Sequence, residues 1–442
     1  MTIRMDEGAA ELLDTLHRAG YAAYVVGGCV RDSLLGLTPH DWDLCTSALP
    51  QQGMELFGEE KCIPTGLQHG TVTVRQGGGL YEITTFRTEG TYTDGRHPDE
   101  VHFVPDVRED LARRDFTINA MAYNEKEGLV DPFGGQTDLQ SGILRAVGVP
   151  HQRFTEDALR ILRLYRFAAR FGFSIDPPTA QAAQELCAHL DCVSVERIEE
   201  ELAKLLRAPA PAAYLDEKIL GVVLPELSPE ALAAAKPVVD ACPAGERALP
   251  VRLAALLLSL GEDGTRRTLR RLRCSNACIE ETAVLVREVV SGVPGAFSSD
   301  TNRAIPSPAL LPAATGSHPS GRSSEKLPAR PPVSLNIYTR KLLGQYGLKT
   351  VQRLAALGTA LQPEHAADFA ALSELAERLD ADGVCCRVSQ LAVNGRDLMA
   401  AGVPAGPGIR KVLEALLDGV IREEYPNERQ ALLIAVQQLA AS

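Results

Sequence analysis

Two aspartates one residue apart, Asp41 and Asp43 in the stretch PHDWDLCTS at 39–47, are the residues of this chain best placed to do chemistry. The run DWDLCT mixes bulky, aromatic and β-branched residues without helical spacing, which predicts a strand over 41–46. Residues i and i+2 of a strand share a face, so the two carboxylates stand side by side and repel one another. A divalent cation removes that repulsion. Paired hard-oxygen donors suit magnesium, which keeps positions open for water and a substrate phosphate. A pair of such ions activates an attacking hydroxyl and stabilises a leaving pyrophosphate.

The residues before the pair supply a matching anion site. YAAYVV at 21–26 reads as a buried strand running into Gly27-Gly28 and then a short helix, CVRDSLLG, with Arg31 and Asp32 at its start. Free backbone N–H groups at a helix start suit a phosphate, and glycine allows its close approach, although a Gly-Gly turn alone is often only a tight turn. A second cluster, LARRDFTINAMAY at 111–123, places Arg113, Arg114 and Asp115 before an apolar segment, where a salt-bridged helix start is the plain reading.

The third cluster is TEDALRILRLYRFAARFGF at 155–173. It predicts one helix capped by Thr155, with Asp157 and Arg160 at i and i+3 and with Arg163, Arg166 and Arg170 following. Apolar residues take nearly every direction on this helix, so the arginines are expected to be buried and to need anionic partners. Nearby acids are too few, and phosphates would serve. A carboxylate and a guanidinium on one rigid helix can also read the Watson–Crick edge of cytosine or adenine. Uracil and guanine would leave the carboxylate unpaired, at a cost of about 1–3 kcal/mol. Neither a GxxxxGK[ST] loop nor a kinase-type catalytic loop occurs.

These residues must be positioned by a mixed α/β head. An amphipathic helix at 6–19 ends at Gly20, and the runs GTVTVRQ and LYEITTFR flank the Gly77–Gly79 hairpin signal. With VHFVP from Val101, the expectation is a five-stranded mixed sheet within about the first 148 residues. From Phe154 on, strand signals give way to helices. The expected division is an α/β region over 1–148, helical regions over 149–235 and 236–295, a disordered Pro/Ser/Ala-rich insertion or linker over 296–335, and a further helical region over 336–442. The chain of 442 residues carries a formal charge of −12, which argues against general nucleic-acid stickiness but not against a local basic surface. TRRTLRRLRC at 265–274, with its five arginines, is such a surface or a solvated helix face. The N-terminus lacks a secretory pattern, no apolar run could span a bilayer, and the ten scattered cysteines lack zinc spacing. A cytoplasmic protein with reduced thiols is expected.

In order, GGCVRDSLLG with DWD, RRDFTINAMAY, EDALRILRLYRFAARFGF and SVERIEEELAKLL resemble the motifs of class II tRNA nucleotidyltransferases, the CCA-adding enzymes of the DNA polymerase β-like superfamily. The match covers roughly residues 20–210, and GLQHGTVTV, YEITTFR and VDPFGG fit it as well. The resemblance implies a polymerase β-like head followed by an all-α neck, body and tail. It implies Mg2+ on Asp41 and Asp43, with Asp115 or Glu82 as a candidate third acid. It assigns Gly28, Arg31 and Arg114 to the triphosphate and makes Asp157 and Arg160 the selector of CTP and then ATP, with Arg163 and Arg166 nearby. The partners it implies are tRNA, CTP and ATP, for a monomer or homodimer. Where poly(A) polymerases of the family carry a basic GRRF-like stretch, this chain has CIPTGLQHGTVTV, which favours CCA addition. The full loop TEGTYTDGRHPDE favours CCA over CC alone. The alternatives are poly(A), CC-only or A-only synthesis, and, remotely, an inactive RNA-binding protein of the same fold.

Overall fold

The computed structural model describes residues 3–90, 101–290 and 334–441, so residues 296–333 of the expected insertion and the core of the 88–100 loop lie outside the described residues, while Ser334 and Leu335 already cap and begin a helix. The chain forms two compact units, Met1–Pro225 and Glu226–Ser442.

The first unit opens with α1 (Glu7–Arg18), whose start is capped by Asp6 Oδ2 accepting from the N–H groups of Gly8 and Ala9 at 3.1 and 3.3 Å. The strands of the main sheet are β1 (Ala23–Val26), β2 (Leu44–Thr46), β3 (Cys62–Gly66), β4 (Thr71–Gln76) and β5 (Gly79–Thr85). β6 (Arg87–Glu89) and β7 (Val101–Phe103) pair with each other apart from it, and β8 (Ala122–Asn124) and β9 (Gly128–Val130) complete it. The sheet is therefore seven-stranded, in the order β3-β4-β5-β2-β1-β8-β9, rather than five-stranded. β3, β8 and β9 are added, while the VHFVP run lies in the small pair instead. The β4–β5 hairpin turns at Gly77 and Gly78, with φ of 57° and 85°, a conformation that two successive non-glycine residues would resist.

The core strand β2 lies between β1, antiparallel to it, and β5, parallel to it, with Leu44 opposite both Val25 and Ile83. It begins at Leu44, three residues later than expected. Yet the Asp43 carbonyl still accepts from Val26 N–H at 2.9 Å, so the ladder fixes Asp43 beside the end of β1. α2 (Gly28–Leu34) leaves that end, and α3 (Pro50–Phe57), α4 (Val107–Ala112) and α5 (Gly135–Ser141) follow in the same unit. Buried Tyr24, Val26, Cys45, Phe86, Leu111 and Ala122 form the core under the site.

The segment expected as one helix is two. α6 (Pro150–Glu156) and α7 (Leu159–Phe171) are separated at Asp157, whose backbone is extended at φ −145°, ψ 104°. Thr155 lies inside α6 and bonds back to the His151 carbonyl at 2.8 Å instead of capping α7. Asp157 takes that part, its Oδ1 accepting from Leu159 N–H and its carbonyl from Arg160 N–H, both at 3.0 Å. α7 is buried on almost all sides, as its composition predicts, and packs on α9 (Val195–Leu206); α8 (Pro177–Glu185) and α10 (Glu217–Val223) complete the unit.

The second unit is helical throughout its described residues, from Pro229–Ala241 to Arg429–Ala441. The arginine-rich run lies on the helix Gly261–Arg271, where Arg266 pairs with Glu262 and Glu280 and Arg271 with Glu226, while Arg267 and Arg270 are exposed. All ten cysteines are free thiols, seven of them buried. Among the described residues no helix is long and apolar enough to cross a membrane.

Candidate active site

The Gly27-Gly28 turn is the pivot of the site. Gly27 has φ 78°, a conformation that other residues resist, and a Cβ there would lie 2.9 Å from Arg114 Nη1, crowding that guanidinium. Arg31 Nη2 stands 3.6 Å from where a Gly28 Cβ would be. Arg114 Nη2 bonds Asp110 at 3.2 Å, its Nε is buried without a hydrogen-bond partner, and its charge acts on Asp43. Burial alone would lower the Arg114 guanidinium, but Asp110, Cys45 and Asp43 raise it further and hold it cationic.

Asp41 and Asp43 open onto solvent just before β2. Desolvation by the surrounding protein, then the Glu82 carboxylate, raises the Asp43 carboxyl above the usual range; Asp41 adds to this and Arg114 opposes it. Glu82 precedes Ile83, the parallel partner of Leu44, just as Asp43 precedes Leu44, so the two acids flank each other across the β2–β5 ladder. Asp115 is committed elsewhere: its Oδ1 accepts from Phe116 N–H at 2.8 Å and Asn119 at 3.0 Å, and its Oδ2 from Arg163 at 2.6 Å. Of the two candidate third acids, Glu82 is the one whose charge reaches Asp43. Among the described residues no three His, Cys, Asp or Glu side chains converge as a complete metal shell. Excess negative charge on two open carboxylates nevertheless fits a hard divalent cation that takes its other oxygens from substrate and water.

Arg31 is only 4% exposed. It donates to Asp32 at 2.8 Å and to Asn119 at 2.5 Å and packs over the rings of Phe167 and Phe171. Arg166 lies 3.7 Å from the centroid of the same Phe167 ring and pairs with buried Glu201. Arg163 joins Asp115, Arg170 joins Asp32, and Arg160 joins Glu156 at 2.7 Å and the Arg113 carbonyl at 3.1 Å. The expectation that acids are too few for these arginines is thus corrected: Asp32, Asp115, Glu156 and Glu201 come from four different segments. Asp157 and Arg160 flank the break between the helices rather than riding one helix, and Asp157 Oδ2 is held by Arg197 of α9 at 2.7 Å. Arg113 caps the C-terminal end of α4 and Arg114 follows it, where a helix start was expected.

Sequence reasoning missed Arg197, Asp110, Glu156 and Glu201. Glu201 was readable, because it falls three residues after Ile198 and four before Leu205, on the buried face of α9. Glu201→Gln is expected to destabilise the fold by about 3–5 kcal/mol, by leaving Arg166 buried without its counter-charge, as urea denaturation would record. Burial by itself would raise the Asp115 carboxyl, but Arg163 and Asn119 outweigh it and hold it far below the usual carboxylate range. Its stabilising contribution is therefore complete above the ordinary aspartate value of about 3.9 and is lost as pH falls below that.

A seven-stranded head with an aspartate pair beside a glycine turn, followed by helices, defines a polymerase β-like nucleotidyltransferase. The poly A polymerase head domain matches residues 23–145, an RNA and SrmB binding site of polymerase A matches 172–230, and a tRNA nucleotidyltransferase domain 2 matches 337–436. The chain belongs to the CCA-adding enzyme family: it is 35% identical to the CCA-adding enzyme of Lactiplantibacillus plantarum over 99% of this chain and 97% of that one. The CCA-adding enzyme of Geobacillus thermodenitrificans is 35% identical over 96% of this chain and 95% of its own. The crystal structure of Bacillus stearothermophilus CCA-adding enzyme in complex with CTP superposes with a TM-score of 0.77 at 30% identity, covering 99% of this chain and 98% of that one.

Proposed function

We propose that this protein adds C, C and A in turn to the 3′ end of tRNA from CTP and ATP, releasing pyrophosphate, with Asp41 and Asp43 holding Mg2+. The observation that carries the site assignment is geometric: the ladder bond from Val26 N–H holds Asp43 at the end of β1, the β2–β5 register brings Glu82 beside it, and Arg114 reaches the adjoining Gly27 turn. Bound there, magnesium supplies electrophilic assistance to an in-line attack on the α-phosphate. Glu82 is the candidate third acid at this site.

The chain's own residues do the rest. Gly27 and Gly28 admit the triphosphate to the start of α2, and Arg114 neutralises it. Arg31 braces the turn from beneath through Asp32 and Asn119. Asp157 and Arg160 offer an acceptor and donors to the base edge that cytosine and adenine share and that uracil and guanine do not. Arg197 orients the first of these and the Arg113 carbonyl the second; Arg163 and Arg166 lie behind them as supports tied to Asp115 and Glu201. The neck from 149, body from 236 and tail from 336 would grip the acceptor arm by shape and phosphate, in the cytoplasm.

Poly(A) synthesis is the second reading, favoured by the match of the poly A polymerase head domain over residues 23–145. Incubating the protein with tRNA lacking CCA, both nucleotides and magnesium separates the two. Extension by one CCA supports the proposal, and a long A ladder replaces it with the second reading.

A further inference from the structure

Asp110 is a carboxylate with no solvent exposure, and nothing in the reaction scheme above uses it. Burying an acid this completely is costly unless it is fully paired. Its Oδ1 accepts from Arg113 Nε at 3.0 Å and from Arg87 N–H at 3.3 Å, and its Oδ2 from Arg114 Nη2 at 3.2 Å. These three partners lead to different parts of the site. Arg114 extends from Asp110 to the Gly27 turn, where Nη1 fills the space a Cβ would take. The Arg113 carbonyl receives Arg160 Nη2, one of the base-reading donors. Arg87 begins β6, which this bond ties to the last turn of α4.

We propose that Asp110 is a positioning residue for nucleotide binding: it fixes the Arg114 guanidinium against the Gly27 turn and anchors the same short segment on which Arg160 is braced. A long arginine side chain left unheld would sample several rotamers, and the triphosphate would have to order it on binding. Asp110 does that ordering beforehand. The pairing is bidentate across two neighbouring arginines, so triphosphate and base contacts share one support. The inference rests on Arg114 meeting the triphosphate, as proposed above.

The test is a double-mutant cycle on CTP affinity, measured by calorimetry with the full-length protein and calcium in place of magnesium. Asp110→Asn is expected to weaken CTP binding about tenfold and Arg114→Ala about a hundredfold. Combining them is expected to weaken binding by clearly less than the product of the two separate effects, because Asp110 acts largely by holding Arg114. In steady state, Asp110→Asn should raise KM for CTP and ATP with kcat within about threefold, and tRNA affinity should not move. If Asp110→Asn alone fails to fold, Asp110→Asn with Arg113→Gln removes one charge of each sign from the pair and should show the same loss of CTP affinity. Unchanged CTP affinity in a folded variant, or effects that multiply in the combined variant, would overturn the proposal. If Arg114→Ala itself leaves CTP affinity intact, the assignment of Arg114 to the triphosphate fails instead.

Discussion

Asp43→Asn is expected to cut incorporation of CMP and AMP at least about a thousandfold while tRNA affinity stays within about twofold. The amide keeps the shape and the backbone bond from Val26 N–H but removes the negative charge and the hard anionic oxygen a divalent ion requires. Asp41→Asn is expected to behave alike. The same substitution has an opposite effect on the metal-free fold. Because desolvation, Glu82 and Asp41 raise the Asp43 carboxyl, its ionised form is the strained one. The strain is absent at pH low enough to protonate the group in both states and is fully developed above its raised folded value. At neutral pH without divalent ions, Asp43→Asn should therefore melt at or above the wild-type temperature, and magnesium should raise the wild-type Tm while leaving the variant unmoved. Scanning fluorimetry with chelator and with added magnesium reads both. A variant that melts well below wild type, or that still gains stability from magnesium, would remove the metal assignment.

Arg160→Ala is expected to lose about 10- to 100-fold in discrimination of CTP against UTP, with a smaller loss in overall rate. In the folded protein Arg160 donates to Glu156 and to the Arg113 and Arg153 carbonyls, which aims its guanidinium without exhausting its N–H groups. On the proposed reading, uridine would be refused because a carbonyl would meet the Asp157 carboxylate and the guanidinium would find no ring acceptor. Removing the guanidinium erases half of that test. Arg197→Ala should give a milder form of the same defect, since it frees Asp157 rather than deleting it. The ratio of kcat/KM for CTP and UTP on tRNA lacking CCA checks both. An unchanged ratio with reduced rate would make Arg160 a structural residue only.

The chemistry was legible in the sequence wherever it depended on local spacing. The aspartate pair, the Gly27-Gly28 turn and the Gly77-Gly78 hairpin are each set by residues within a few positions of one another. The helix break at Asp157 was hidden because strong helix formers flank it on both sides, and an aspartate that caps looks in sequence like one that merely ornaments a helix. β8 and β9, three residues each, are too short to show alternation and exist through their pairing with β1 and each other. The counter-charges were least legible. Glu201 reaches Arg166 through the packing of α9 on α7, so a count of acids near residue 160 did not find it, whereas Asp110 stands three and four residues before Arg113 and Arg114, a local spacing that was open to reading. The β2–β5 register likewise brings Glu82 to Asp43 from 39 positions away, while Asp115 is drawn off by Arg163.

The most direct test of the account is to supply nucleotides singly to tRNA trimmed to the base before CCA and to read the 3′ ends by sequencing. CTP alone is expected to add two residues and stop, ATP alone to add almost nothing, and ATP given afterwards to add a single A. Continued addition of A from ATP alone, or no extension by a folded, tRNA-binding preparation, would contradict it.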